Sequence, residues 1–76
     1  MKLVLAFGHV LKKHRMVKGF SQEQLALYCD LDRTYIGMLE RGQRQPSITT
    51  IFKLSEQLGV PPHKIIQEVE QLILQK

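Results

Sequence analysis

Helix-stopping and helix-starting residues alternate along this chain, and their order constrains the fold more than any other feature. Gly19 follows a helix-periodic stretch, and glycine accepts the left-handed conformation that closes a helix. Ser21 with Gln24 makes a capping-box pattern at the head of the next stretch. Asp32 is a natural cap for a third, because its carboxylate accepts otherwise unpaired backbone N–H groups. Gly42 ends that stretch, Ser47 caps a fourth, and Gly59 stops it. Pro61 and Pro62 suit the opening of a fifth, where a missing N–H is harmless.

Between these marks the apolar residues recur at helical spacing. The first helix is predicted from about Leu5 to Val17, with Phe7, Val10, Leu11 and His14 on one side. The second runs from Gln22 to about Cys29 with Leu25, Ala26 and Cys29 inward, and the third from Arg33 to Arg41 with Ile36 and Leu39 inward. The fourth turns Ile48, Ile51, Leu54, Ser55 and Leu58 inward, and the fifth carries a stripe of Ile65, Ile66, Val69, Leu72 and Ile73. Only the Leu3-Val4-Leu5 start is ambiguous between helix and strand. The expected fold is all-α, a single five-helix domain over residues 1–76. Its most informative joint is the very tight turn around Asp30 and Leu31, because a tight helix-turn-helix holds its second helix out for insertion into a groove.

Composition narrows the function. A chain of 76 residues supports one domain and buries only roughly 60% of its unfolded surface. The single cysteine, Cys29, forms no internal disulfide and cannot build a structural zinc site, so it reads as a small core residue. His14 reads as structural, and His9 and His63 have no metal-ligand spacing. There is no Ser/His/Asp arrangement, metal cluster or Gly-rich phosphate loop, so neither an enzyme nor a cofactor is expected. Aromatic stacking platforms for RNA are absent, with three Phe and two Tyr. No apolar run reaches the ~18 residues of a membrane span, and no signal-peptide pattern opens the chain, so a soluble cytoplasmic protein is expected.

The formal net charge is +4, and it is unevenly placed. From Gln45 onward Lys53, Lys64 and Lys76 are balanced by Glu56, Glu68 and Glu70. The whole basic excess therefore precedes residue 45, which suggests a charged working surface followed by a neutral supporting segment. Basicity alone favours an acidic partner without choosing among DNA, RNA and lipid.

Several short motifs then fall in a telling order. Phe20-Ser21-Gln22-Glu23-Gln24-Leu25-Ala26, Leu31-Asp32-Arg33-Thr34-Tyr35-Ile36, Leu39-Glu40-Arg41-Gly42, Pro46-Ser47 and Leu58-Gly59-Val60 together resemble the Cro/C1-type (Xre-like) helix-turn-helix regulators. The resemblance covers about Phe7 to Ile66, and its length is close to small stand-alone phage repressors and restriction–modification controller proteins. It implies a lambda-repressor-like DNA-binding domain with the helix-turn-helix at about residues 21–41.

The resemblance makes the third helix the recognition helix, with Arg33, Thr34, Gly37 and Met38 outward against the bases. An arginine fork donates two hydrogen bonds to guanine O6 and N7, and a threonine meets either a thymine methyl or a phosphate. Gly37 and Met38 depart from the commoner family pattern of polar side chains. Gly37 is expected to allow close approach to DNA, and with few hydrogen-bonding groups on this helix the shape of the site is expected to carry much of the specificity. Gln22, Tyr35, Arg41, Gln43 and Arg44 are the expected phosphate contacts, Gln22 at a helix N-terminus that already attracts anions. Arg15 and Glu40 are expected to pair and join the first helix to the third. Asp30 occupies a turn position where the family often has glycine.

The stripe of the last helix, residues 61–76, exceeds what one thin domain needs. Phe52, Ile65, Ile66, Val69, Leu72 and Ile73 are therefore the expected contact of a symmetric homodimer. Such a pair sets two recognition helices about one DNA turn apart, ~34 Å, on a roughly palindromic operator. The expected function is sequence-specific regulation of transcription on double-stranded DNA, by blocking or recruiting RNA polymerase. An antitoxin-like or adaptor protein, whose main partner is another protein, is the alternative.

Overall fold

The computed structural model describes residues 1–75, and its helices are α1 (Leu3–Lys18), α2 (Gln22–Cys29), α3 (Arg33–Glu40), α4 (Ile48–Leu58) and α5 (Pro62–Leu74). No strand occurs among the described residues. The end of the expected terminal segment, residue 76, lies outside them.

The caps act as their chemistry requires. Ser21 Oγ accepts from the Gln24 N–H at 3.0 Å, and Gln24 Oε1 accepts from the Ser21 N–H at 2.8 Å, which completes the capping box. Asp32 Oδ1 accepts from the Thr34 N–H at 2.8 Å, and Ser47 Oγ from the Thr50 N–H at 3.1 Å. Asp30 closes α2 in the left-handed region at φ 56°, a conformation aspartate tolerates better than most residues. This lets the chain turn from α2 into α3 within three residues.

Two boundaries differ from the expectation. α1 begins at Leu3, so the ambiguous Leu3-Val4-Leu5 is helical. Lys2 caps it without a side-chain hydrogen bond, which is why no start signal marks the place. α3 ends at Glu40, and Arg41 is its C-cap.

The core joins Phe7, Val10 and Leu11 of α1, Leu25 and Cys29 of α2, Ile36 and Leu39 of α3, Leu54 and Leu58 of α4, and Ile65 and Val69 of α5. Ile48, expected inward, is exposed, because the inward face of α4 is made by Thr50, Leu54, Ser55 and Leu58 and Ile48 falls to its side. α1 is the central element, packed against α3, α4 and α5. Its crossing with α3 is very close at Gly8, where a Cβ would stand 2.5 Å from the Leu39 carbonyl oxygen and 2.6 Å from that of Glu40.

Candidate nucleic-acid interface

The start of α3 is open to solvent. Arg33 and Thr34 are exposed there, and Arg33 borders a shallow polar depression together with Arg15, Ser21, Gln22 and Glu23. Asp32, by capping α3, fixes where these two side chains leave the helix. Tyr35 and Met38 are half-buried. The Arg44 guanidinium carbon lies 5.8 Å from the centre of the Tyr35 ring, a cation–π distance that ties the loop after α3 back to the helix. Gln43 is exposed in the same loop and accepts from Arg41 Nε at 3.3 Å.

Beneath this face lies a polar lock. Arg15 donates through Nε to Glu40 Oε2 at 2.5 Å and through Nη2 to Oε1 at 3.0 Å. Its Nη1 donates to the Phe20 carbonyl at 2.8 Å. Gln22 Nε2 also donates to Glu40 Oε1, at 3.0 Å. One carboxylate thus holds α1, the head of α2 and the end of α3 together. The pair is largely removed from water, with side-chain exposures of 12% for Arg15 and 3% for Glu40. The hydrogen bond to Glu40 pushes the Arg15 pKa further up, burial opposes it, and the opposite charge adds to the rise.

The structure corrects three of the expected placements. Gly37 is not on the open face: it is buried, and the side chains of Gln22 and Arg41 lie over it. Ile65 and Val69 belong to the core of their own chain, because α5 turns them onto α1. Of the other four expected contact residues, Phe52, Ile66 and Ile73 are exposed and Leu72 is half-buried against the core. Leu3, Ile48 and Leu74 are exposed as well. An apolar groove of about 130 Å³ runs between α1, the loop before α4, and α5, bordered by Leu3, Phe7, Pro46, Ile51 and Ile66.

A second polar joint was not foreseen. Lys13 and His14 of α1 both meet Glu68 of α5. His14 Nε2 lies 3.0 and 3.1 Å from the two carboxylate oxygens. Burial works to raise the Glu68 pKa, but the hydrogen bonds and charge of Lys13 and His14 outweigh it and leave the carboxyl below its ordinary value. The helical spacing of His14 and Glu68 toward each other's helices was the available signal. Cys29 is buried, with Sγ 3.7 Å from the Lys53 carbonyl, and burial pushes its thiol pKa up, away from reactivity. Among the described residues no group of three or more His, Cys, Asp or Glu side chains is placed to hold a metal ion, and no helix is long and apolar enough to cross a membrane.

An open helix start, a tight turn and a carboxylate lock behind them define a helix-turn-helix domain of the kind that regulates transcription. Residues 11–65 match the family model described as helix-turn-helix, and the chain belongs to this Cro/C1-type family. It is 46% identical over 63 residues to the control protein C.BamHI of Bacillus amyloliquefaciens, covering 82% of this chain and 78% of that one. The solved restriction–modification controller protein C.AhdI of Aeromonas hydrophila is similar with a TM-score of 0.79 and 44% identity, over 82% of this chain and 94% of that one. The controller protein C.Esp1396I superimposes over 100% of this chain and 97% of its own, with a TM-score of 0.87 and 33% identity. The protein is a DNA-binding helix-turn-helix transcription regulator.

Proposed function

We propose that this chain is a restriction–modification controller that acts as a homodimer on a roughly palindromic operator, in the cytoplasm and without enzymatic activity. The observation that carries the reading is the lock of Arg15, Gln22 and Glu40, which fixes α3 with Arg33 and Thr34 exposed at its start. The similarity to C.BamHI and C.AhdI supports the controller setting.

In this reading α3 enters the major groove. Arg33 donates to a guanine and Thr34 meets a neighbouring base or methyl, while Met38 adds an apolar contact. Gln22, Tyr35, Arg41, Gln43 and Arg44 hold phosphates on either side and set the register without reading sequence. Few of α3's own side chains donate hydrogen bonds, so the deformability of the operator carries part of the specificity. Phe52, Ile66, Leu72 and Ile73 form the contact between two copies. The bound dimer blocks or recruits RNA polymerase.

The test is a nuclease footprint on the DNA flanking the chain's own gene, repeated across salt concentrations. The expected result is a protected site with two related halves, and an affinity that falls linearly in log–log form with salt, by about 0.9 per phosphate neutralised. A tight complex with an acidic protein and no specific footprint would instead favour the adaptor reading.

A further inference from the structure

Gly37 is central to this inference, which rests on the DNA-binding reading above. It stands in the middle of α3, where glycine costs about 1 kcal/mol relative to alanine. Its neighbours explain what stands in the space a side chain would fill. A Cβ there would lie 3.0 Å from Arg41 Nη1 and 3.6 Å from Gln22 Oε1. Both groups arrive from outside the middle of the helix: Gln22 from the first turn of α2, Arg41 from the C-cap of α3. Both are also tied down. Gln22 Nε2 is held by Glu40 Oε1 at 3.0 Å, and Arg41 Nε by Gln43 Oε1 at 3.3 Å.

We infer that Gly37 is a positioning residue: a slot that seats the Arg41 guanidinium and the Gln22 carboxamide across α3, so that these two side chains occupy the helix surface where position 37 would otherwise present its own. Each retains free donors after its internal bond. Gln22 uses one amide hydrogen on Glu40 and keeps a second, and Arg41 uses Nε and keeps both terminal nitrogens. The slot therefore fixes two DNA-contacting groups at once and removes the rotamer freedom that binding would otherwise have to freeze.

This differs from a glycine that lets the helix backbone approach DNA. There, any added side chain obstructs DNA itself. Here, it obstructs Arg41 first. The neighbour in the way is the far end of a flexible side chain, so Gly37→Ala leaves room for the fold while moving the guanidinium.

The experiment compares wild type, Gly37→Ala, Arg41→Ala and the double variant on a duplex that the wild-type chain enriches from a random-sequence library. Gly37→Ala is expected to melt at or above the wild-type temperature, since alanine is the better helix former. It is expected to bind several-fold more weakly, with a salt slope lower by up to about 0.9, the value of one phosphate contact. In the Arg41→Ala background, the same substitution is expected to change affinity little and the slope not at all. Equal loss in both backgrounds would overturn the inference in favour of direct obstruction of DNA, and so would full affinity in Gly37→Ala. Those outcomes leave the DNA-binding reading intact. Failure of the wild-type chain to enrich any duplex overturns both.

Discussion

At Gly8 a methyl group would have to enter space already filled by the backbone of α3. The nearest obstructing atoms are the carbonyl oxygens of Leu39 and Glu40, which cannot rotate aside as a side-chain end does. Gly8→Ala therefore forces α1 and α3 apart, and overpacking of this kind typically costs about 1–3 kcal/mol. The gain in helix propensity, about 1 kcal/mol, offsets only part of it. Thermal unfolding of the variant is expected to show a lower midpoint, and an unchanged or higher midpoint would mean the crossing is looser than described. Neither Gly8 nor the burial of Gly37 was legible in the sequence. A glycine inside a helix says that something close by needs room, but not which element comes close. Arg15 and Glu40 were legible because the resemblance supplied their partnership, whereas the third member, Gln22, was expected only to meet phosphate.

Among the elements, α3 is held by α1 and α2 through one carboxylate as well as through apolar packing. Glu40→Gln keeps the shape but removes the charge facing Arg15. A largely buried guanidinium left without its counter-ion costs about 3–5 kcal/mol, a sizeable share of the stability of so small a domain. Replacing both partners by apolar residues, as in Arg15→Met with Glu40→Leu, is expected to recover most of that loss in chemical denaturation. DNA affinity is not expected to recover in the double variant, because Glu40→Leu removes the oxygen that accepts from Gln22.

α1 and α5 are joined by the other carboxylate. Glu68 has a folded pKa below its unfolded one, so its contribution to stability is fully present above the ordinary value of 4.5 and disappears as pH falls through the lower folded value. Melting temperatures between neutral and strongly acidic pH are expected to fall over that window, and to fall less steeply in Glu68→Gln. Helix starts with a side-chain cap are all legible in the sequence, whereas α1, without one, starts two residues before the first helical signal the sequence offers. The stripe of α5 was legible as apolar, but its division into core and surface depends on how α5 is rotated against α1, which Glu68 and its partners help to set.

For the whole molecule, the basic excess precedes residue 45, and α4 and α5 carry exposed apolar residues. Phe52, Ile66 and Ile73 are exposed at 58%, 48% and 39%, and Ile66 borders the groove that Leu3 and Pro46 help to form. A domain that buries only about 60% of its unfolded surface has little core to spare, so covering these residues with a second copy would add to stability as well as to DNA binding. The proposed homodimer then has a thermodynamic signature: its melting temperature rises with protein concentration, because dilution favours the unfolded monomers. Phe52→Glu combined with Ile66→Glu places two carboxylates in the contact while leaving the buried core residues Ile65 and Val69 in place. This variant is expected to sediment as a monomer and to lose the concentration dependence of its melting temperature. On the operator it is expected to bind about 10²–10⁴-fold more weakly than the wild type, because the second recognition helix no longer profits from the first one's capture of the DNA. Its α3 carries the same side chains, so half-site preference should persist at high protein concentration. A variant that still sediments as a dimer would place the contact on another face, and a wild type that sediments as a monomer at all concentrations would remove the dimer itself.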